Sequence, residues 1–278
     1  MPTTRLTTAW LIAFAAVLAL VGCTRQTRPT ALPAGPASVG VALMQATQST
    51  SAREYVKLQY PVVIGAAGAR LNPVINRWIG ARCPVPQDHP PHYASVSACE
   101  AAFSSACHRL MAKFKAAGYP GGCTLDATSE IRLDAAGLLG VVFTTYAFTG
   151  GAHGNTVVSY LNLDLRSGRV LKLDDLLKPI DDRKLAAAIE TAVRRNRRIP
   201  TTNSLKQAGF FIDPLPLTRT VLALPRGLLF TYQSYDVGPY VLGQPHGVVP
   251  YSAVQGMIRP DGPLPRLEAL GKRLAAVH

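Results

Sequence analysis

Acidic residues and catalytic sequence motifs are scarce in this chain. Its 278 residues include 16 Asp and Glu against 29 Lys and Arg, which gives a formal net charge of +13. No Cys-x-x-Cys pair, His-x-x-x-His pair or Gly-x-Ser-x-Gly motif occurs, and no acidic pair has a spacing typical of a catalytic site. These absences argue against common zinc sites and a serine nucleophile elbow. We therefore expect no metal and no cofactor, and the sequence favours a binding module over an enzyme.

Only one long apolar run stands out, and it lies at the N-terminus. Arg5 precedes an apolar run over residues 9–21, and the small residue Gly22 and then Cys23 follow. This order is typical of a secretory signal, and the run is short for a transmembrane span. The sequence therefore predicts export.

The stretch "LVGC", which ends at Cys23, resembles the lipobox of bacterial lipoproteins. By that resemblance residues 1–22 are a signal peptide, and Cys23 carries acyl chains such as palmitate that anchor the chain to a membrane. Thr24 stands where inner-membrane retention usually shows aspartate, so the resemblance implies an outer-membrane lipoprotein of the cell envelope that faces the periplasm. The alternative is an ordinary signal peptide with Cys23 lost or free.

Four further cysteines predict two disulfides, because an even number in an exported chain favours bridges over four buried thiols. A helix predicted over residues 97–117 holds Cys99 and Cys107 about 12 Å apart, too far to bond to each other. Cys123 can return to Cys107 but not to Cys99, since six residues span at most about 20 Å. We therefore predict the bridges Cys83–Cys99 and Cys107–Cys123.

The basic charge predicts an anionic partner. Removal of residues 1–22, whose only charged side chain is Arg5, lowers the net charge from +13 to +12. A basic exported protein meets anionic lipid, wall polymer or acidic proteins, whereas no recognition motif predicts nucleic acid as a partner. The densest cluster closes a helix predicted over residues 181–198, where cations stabilise the helix dipole. Its members are Arg194, Arg195, Arg197 and Arg198.

Residues 23–51 predict a flexible tether, because much of this segment is rich in Pro, Thr, Ala and Gly without apolar periodicity. The remainder predicts an α+β fold with a mainly antiparallel sheet and helices packed on it. Alternation over residues 55–64 predicts a strand that buries every second residue from Val56 to Ile64. Asn72 and Pro73 suit the cap and first position of a helix. Further strands are predicted over 124–133, 138–148, 156–165 and 170–173, three of them joined by short turns into a meander.

Two long stretches carry a family resemblance: "YAFTGGAHGNTVVSYLNLDLRSGRVLKLDDLL" and "LLFTYQSYDVGPYVLGQPHGVVPYSAV". They resemble the domain of unknown function at the C-terminus of the anti-sigma factor RsiV, which senses lysozyme, and of the peptidoglycan deacetylase PdaC. The earlier "YVKLQYPVVIGAAGARLNPVINRWI" is similar to the companion domain that usually precedes it. The resemblance implies a companion subdomain over 52–135 and an RsiV-like domain over 136–278. The four-cysteine segment is extra, and without an anti-sigma segment or a deacetylase domain we do not expect those two outputs to transfer.

Five residues are candidate ligand contacts: His153, Asn155, Tyr235, Asp236 and Tyr240. The glycines and Asn155 of "TGGAHGN" suit a tight turn, in which His153 caps a carbonyl or contacts a ligand. A catalytic or metal role for His153 would need His246 nearby. Tyrosines on adaptable turns suit protein or sugar surfaces, and core tyrosines are the alternative.

These observations favour a binding module for a cell-wall-related ligand, either a lysozyme-like protein or a peptidoglycan fragment. The alternatives are an envelope enzyme that acts on peptidoglycan and a structural envelope lipoprotein without a ligand. Common animal lysozymes are basic, so this basic chain would repel them unless the contact surface is locally acidic. The candidate acids for such a surface are Asp164, Asp174, Asp175 and Asp236.

Overall fold

The computed structural model describes residues 38–85, 93–179 and 181–276. Cys23 and the predicted signal peptide lie outside these residues. The described part contains a five-stranded sheet, a three-stranded sheet and five α-helices, which confirms the predicted α+β class. Within these ranges, no helix combines the length and the apolar character that a membrane crossing needs.

The first sheet contains five strands that neighbour one another in chain order. Every pair is antiparallel except β2 and β3, which run parallel. The predicted meander over the last three strands is confirmed. The strands are β1 (Val41–Ser51), β2 (Glu54–Val63), β3 (Cys123–Ala135), β4 (Leu138–Phe148) and β5 (Asn155–Asp164).

The predicted tether over residues 23–51 is wrong for residues 41–51, which form β1. This strand pairs with β2 from Val41 opposite Val63 to Ser51 opposite Glu54. It lies at the edge of the sheet and buries only the small side chains of Ala42 and Ala46. An edge strand with polar exposed positions has little apolar periodicity, which explains why the sequence pattern did not reveal it.

Two helices connect the parallel strands β2 and β3, namely α1 (Gly68–Gly80) and α2 (Val96–Ala116). The predicted cap at Asn72 is wrong, because α1 already begins at Gly68. The Asn72 side chain instead accepts a hydrogen bond from the Val63 N–H at 2.8 Å and donates one to the Val63 carbonyl at 3.0 Å. Asn72 therefore ties α1 to the end of β2.

The predicted burial alternation of β2 holds at Val56 and Leu58 and fails beyond them. Val63 is buried, whereas Ile64 is 45% exposed. Pairing with β3 ends at Leu58, and Val63 packs in the same hydrophobic cluster as Leu71 of α1. The change of partner from a strand to a helix therefore reverses which side of the chain is buried.

The structure pairs Cys83 with Cys99 and Cys107 with Cys123, which confirms the pairing predicted from reach. The Cα atoms lie 5.5 and 5.4 Å apart, within the usual range for disulfides. One bridge joins the residues after α1 to the first turn of α2, and the other joins α2 to the start of β3. Both therefore brace the connection between the parallel strands.

The second sheet is antiparallel and contains β6 (Val221–Leu224), β7 (Gly227–Thr231) and β8 (His246–Val249). The predicted strand over 170–173 is wrong, because this stretch makes only an isolated bridge between Leu163 and Val170. The remaining helices are α3 (Leu173–Leu176), α4 (Asp182–Arg197) and α5 (Leu264–Ala275), with 3-10 helices at Tyr240–Leu242 and Tyr251–Met257.

Helix α4 lies where a helix was predicted over residues 181–198, and it covers the second sheet with an apolar stripe. Leu185, Ile189 and Val193 are fully buried in one hydrophobic cluster with residues of β6, β7 and β8. Gly247 of β8 allows a close approach, since a Cβ atom there would lie 2.4 Å from the carbonyl carbon of Ala192. The helix and the sheet are therefore packed backbone to backbone at this point.

The predicted domain boundary between residues 135 and 136 is wrong. Ala135 pairs with Leu138 across the tight hairpin between β3 and β4, and the five-stranded sheet continues to Asp164. The side chains of Ala135 and Leu138 lie in the hydrophobic cluster of the second sheet, whereas Leu139 and Val141 lie in the cluster of α1 and α2. The β3–β4 hairpin therefore takes part in both cores.

Candidate functional site

The turn between β4 and β5 has the backbone that its glycines require. Gly150 and Gly151 have φ angles of 89° and 91°, a region that favours glycine. A Cβ atom on Gly150 would lie 2.4 Å from the Phe114 ring of α2. The turn therefore folds tightly against α2, and His153 projects from its exposed end.

Three aromatic rings from distant parts of the sequence meet beside this turn. The His153 ring stacks on the Tyr240 ring, with centroids 4.4 Å apart and planes 25° apart. The Tyr235 and Tyr240 centroids lie 5.8 Å apart, and the Tyr235 hydroxyl lies 3.4 Å from His153 Nε2. We call His153, Tyr235 and Tyr240 the ring cluster. Tyr235 is 55% exposed, so the cluster forms a surface rather than part of a core.

Two glutamines hold the tyrosine loop, residues 232–244, against β5. The Gln233 side chain accepts from the Val158 N–H at 3.0 Å and donates to the Val158 carbonyl at 2.8 Å. Gln244 donates to the Thr156 carbonyl at 3.0 Å and to Gln233 Oε1 at 3.1 Å. β5 ends the first sheet, so these amides take the place of a neighbouring strand along its edge.

The other two candidate ligand contacts do not join the ring stack. The Asp236 carboxylate accepts from the Gln233 N–H at 2.7 Å and so closes a turn of the tyrosine loop. Asn155, which was predicted to lie in the tight turn, instead begins β5 opposite Ala147. Tyr235 has a left-handed backbone conformation, with a φ of 73°. A non-glycine residue in this region marks local strain, a feature that clusters at functional sites.

The third tyrosine of the loop belongs to the core. Tyr232 is 2% exposed, and its hydroxyl donates to the Pro216 carbonyl at 2.6 Å. Burial, together with the nearby Glu190 carboxylate, raises the pKa of the Tyr232 hydroxyl. Tyr232 is therefore a core tyrosine, whereas Tyr235 is exposed in the ring cluster.

The arginine cluster at the end of α4 borders the tyrosine loop. The Arg197 guanidinium donates to the Leu242 carbonyl at 2.5 Å and lies 5.7 Å from the Phe210 ring centroid. Partial burial lowers the pKa of Arg197. Arg195 and Arg198 are exposed in the same helix end. The ring cluster thus has cationic side chains on a neighbouring element.

The candidate acids do not form an acidic surface. Asp174 pairs with Arg219 at 2.7 Å, and Asp175 pairs with Arg169 at 2.8 Å. Asp164 accepts from the Arg166 N–H within its own turn. Asp236 lies apart from them in the tyrosine loop. Arginines therefore offset the Asp174 and Asp175 carboxylates locally, which disfavours attraction of a basic partner.

His246 makes a separate local contact, in which its Nδ1 lies 3.0 Å from the Gln244 carbonyl oxygen. Across residues 38–85, 93–179 and 181–276, no group of three or more His, Cys, Asp or Glu side chains is placed to hold a metal ion. No contact between His153 and His246 accompanies the ring cluster among these residues. The ring cluster therefore presents ring faces and hydrogen-bonding groups.

A cleft of about 580 Å³ was not foreseen from the sequence. It is lined by α1, β5, the residues before and within α3, and the start of β6. Trp78 and Arg82 stand one helical turn apart and both line it. Their i, i+4 spacing at the end of α1 was the available signal.

Comparison with protein families and solved structures agrees with this architecture. Residues 47–156 match the family described as deacetylase PdaC, and residues 174–252 match the protein of unknown function family DUF3298. No curated protein matches the chain.

Two crystal structures of DUF3298 family proteins share the fold. The protein from Bacteroides fragilis is 18% identical, with a TM-score of 0.68 over 84% of this chain and 99% of that one. The protein from Pseudomonas aeruginosa is 19% identical, with a TM-score of 0.63 over 82% of this chain and 96% of that one. Two consecutive segments of the chain thus match family models, PdaC first and DUF3298 second, and the fold is shared with DUF3298 family proteins.

Proposed function

We propose that the chain is a binding module for a cell-wall-related ligand and that the ring cluster is its contact surface. The observation that carries this proposal is the stack of His153 on the half-buried Tyr240, with the exposed Tyr235 ring beside it. Exposed tyrosine rings offer large apolar faces with polar edges, which suits sugars and polar polymers. Such a surface binds without supplying a nucleophile or a metal.

The charge distribution favours a peptidoglycan fragment over a lysozyme-like protein. The net charge of +13 and the arginines at the end of α4 attract the carboxylates of wall peptides. A basic lysozyme would need an acidic contact surface, and Asp174 and Asp175 are already paired with arginines. A peptidoglycan fragment therefore fits both the rings and the charge.

The support beneath the rings favours binding with little loss of conformational freedom. Gln233 and Gln244 fix the tyrosine loop on β5, and Arg197 holds its end at Leu242. A surface that is ordered before binding has fewer side chains left to immobilise. The ring cluster is in this sense pre-organised for a ligand.

Anchorage at Cys23 completes the proposal. A lipid on this residue would keep the module in the outer membrane, facing the periplasm and the wall. Metabolic labelling with palmitate should mark the wild-type chain and leave the Cys23→Ser variant unlabelled. Labelling of both chains alike would remove the anchor from the proposal without affecting the ring surface.

The binding test is calorimetry of the full-length chain with a purified disaccharide tetrapeptide from peptidoglycan. We expect saturable binding, and a loss of about tenfold in affinity for Tyr240→Ala, since ring stacking contributes about 0.5–1.5 kcal/mol beyond area burial. Ile64→Ala is the control, because Ile64 is a comparably exposed apolar residue beyond the far end of β2.

Two results would decide against the proposal. Equal binding by the wild type and Tyr240→Ala would place the ligand elsewhere. A parallel titration with a c-type lysozyme that alone gives a saturable signal would replace the peptidoglycan fragment with a protein partner.

A further inference from the structure

The cleft beside α1 combines an apolar wall with cationic side chains. Valines from α1, β5 and β6 line it together with the Trp78 side chain, which is 7% exposed. Its volume of about 580 Å³ lies in the range of small-molecule sites. The cleft is separate from the ring cluster, since no residue of that cluster lines it.

Arg82 is a desolvated cation in this cleft. Its guanidinium carbon lies 3.8 Å from the Trp78 ring centroid, and Nη1 donates to the Trp78 carbonyl at 2.7 Å. Burial lowers the pKa of Arg82 to about 10. No carboxylate pairs with Arg82 among the described residues. A partly buried guanidinium without a counter-charge is costly, and an anion beside it would offset that cost.

The Trp78 indole supplies a second unused donor. Its Nε1 is buried and has no hydrogen-bond acceptor among the residues that the structure describes. Buried indole N–H groups usually have an acceptor. Trp78 and Arg82 thus both have donor capacity that the described part of the chain leaves unfilled.

The charged residues that line the cleft are mostly cationic. Arg77, Lys172 and Arg219 line it along with Arg82, whereas Asp174 is the only acidic residue among the described lining residues. Asp174 is itself paired with Arg219 at 2.7 Å. The cleft therefore has a net positive charge.

We propose that this cleft binds a small amphiphilic anion, whose phosphate or carboxylate head contacts Arg82 and whose apolar body packs against Trp78 and the valines. The cationic side chains select the charge of the ligand, and the apolar walls select a hydrocarbon or aromatic body. A lipid phosphate and an organic carboxylate share this chemistry. The proposal stands independently of the ring cluster.

The probe is hexyl phosphate, titrated into the full-length chain by calorimetry beside inorganic phosphate, hexanol and hexanoate. We expect hexyl phosphate to bind saturably, and at least about tenfold more tightly than inorganic phosphate or hexanol, because each lacks one half of the recognised chemistry. Hexanoate distinguishes a carboxylate ligand from a phosphate ligand. Binding as tight as that of hexyl phosphate indicates a carboxylate ligand, and weaker binding indicates a phosphate.

Three arginine variants locate the site. Arg82→Met should weaken binding of hexyl phosphate at least about tenfold. Because Arg82 also packs on Trp78, Arg77→Met provides a second test at an exposed position with no ion pair among the described residues, and we expect a smaller loss. Arg273→Met, at an exposed arginine of α5 that does not line the cleft, should bind like the wild type.

A fluorescence measurement provides an independent readout. In a Trp10→Phe background Trp78 is the only tryptophan, so its emission should change in step with the heat of binding. Equal affinity for hexanol or inorganic phosphate would overturn the proposal. Wild-type binding by both Arg82→Met and Arg77→Met, or a loss of the same size in Arg273→Met, would do so as well.

Discussion

Gln233→Ala is the substitution that tests most directly how the tyrosine loop is attached to the first sheet. The Gln233 amide makes three hydrogen bonds, two to the Val158 backbone and one to Gln244. Truncation removes all three and leaves the Val158 N–H and carbonyl unpaired on the edge of β5. We therefore expect both lower stability and a displaced ring cluster.

The expected loss of stability follows from the contribution of a single hydrogen bond. At about 0.5–1.5 kcal/mol for each partly buried hydrogen bond, the free energy of unfolding should fall by about 1.5–4.5 kcal/mol. Gln233→Glu should also be destabilised, because a carboxylate retains the acceptor for the Val158 N–H but cannot donate to the Val158 carbonyl. Both changes act on the loop that carries Tyr235 and Tyr240.

Urea unfolding of the wild type and the two variants measures these values. Gln255→Ala is the matched control, since Gln255 is an exposed residue of the 3-10 helix at Tyr251–Met257. This substitution should change the free energy of unfolding by no more than about 0.5 kcal/mol. A Gln233→Ala chain as stable as Gln255→Ala would refute the idea that the glutamines replace a strand partner along β5.

Three further substitutions test the fold. Gly247→Ala should lower the free energy of unfolding by about 1–3 kcal/mol or more in urea unfolding, because its Cβ would lie 2.4 Å from the backbone of Ala192. Replacement of Cys107 and Cys123 by Ala should lower it by about 3 kcal/mol, the value for a loop of about this length. Asp134→Asn should be as stable as the wild type at about pH 3 and more stable at neutral pH, measured by unfolding across that range. Burial raises the pKa of the Asp134 carboxyl, so the cost of its ionised form appears only as the pH rises above the unfolded value of about 3.9.

Each of these substitutions has a control or a result that contradicts it. Gly256→Ala should be nearly neutral, because a Cβ atom there meets nothing within 4 Å. The variant without Cys107 and Cys123 has no bridge there to reduce, so a reductant should not lower its stability further through that bridge. A stability difference between Asp134→Asn and the wild type that does not change with pH would exclude ionisation as its cause. The amide that replaces the Asp134 carboxylate in this variant keeps an acceptor for the Val39 N–H, so the variant and the wild type both form this hydrogen bond.

Local periodicity predicted the helices and hairpins well. The buried stripe of α4 and the meander of β3, β4 and β5 depend on residues close in sequence, so pattern and structure agree. Periodicity did not predict β1, because its partner β2 supplies most of the apolar surface of this strand pair. The helix start at Gly68 was not predicted, because the Asn72 side chain hydrogen-bonds to the end of β2 and does not cap the helix. Contacts between neighbouring elements, which periodicity within one element does not report, determined both differences.

The candidate site was only partly accessible to sequence analysis. His153, Tyr235 and Tyr240 were singled out as residues, yet the stack of His153 on Tyr240 joins positions 87 apart and has no local signature. Tyr232 could not be separated from its neighbours until its burial was known. The cleft draws its walls from α1, β5, α3 and β6, so no single stretch indicated it.

The position of β1 would limit how far the protein acts from a membrane if Cys23 carries lipid as proposed. β1 begins at Val41, so only 18 residue steps separate the folded part from Cys23. A fully extended chain of that length spans about 60 Å. If Cys23 carries lipid as proposed, the ring cluster can reach only the zone of the envelope within about that distance of the bilayer plus the size of the folded part. Ligands deeper in the wall would have to come to the protein.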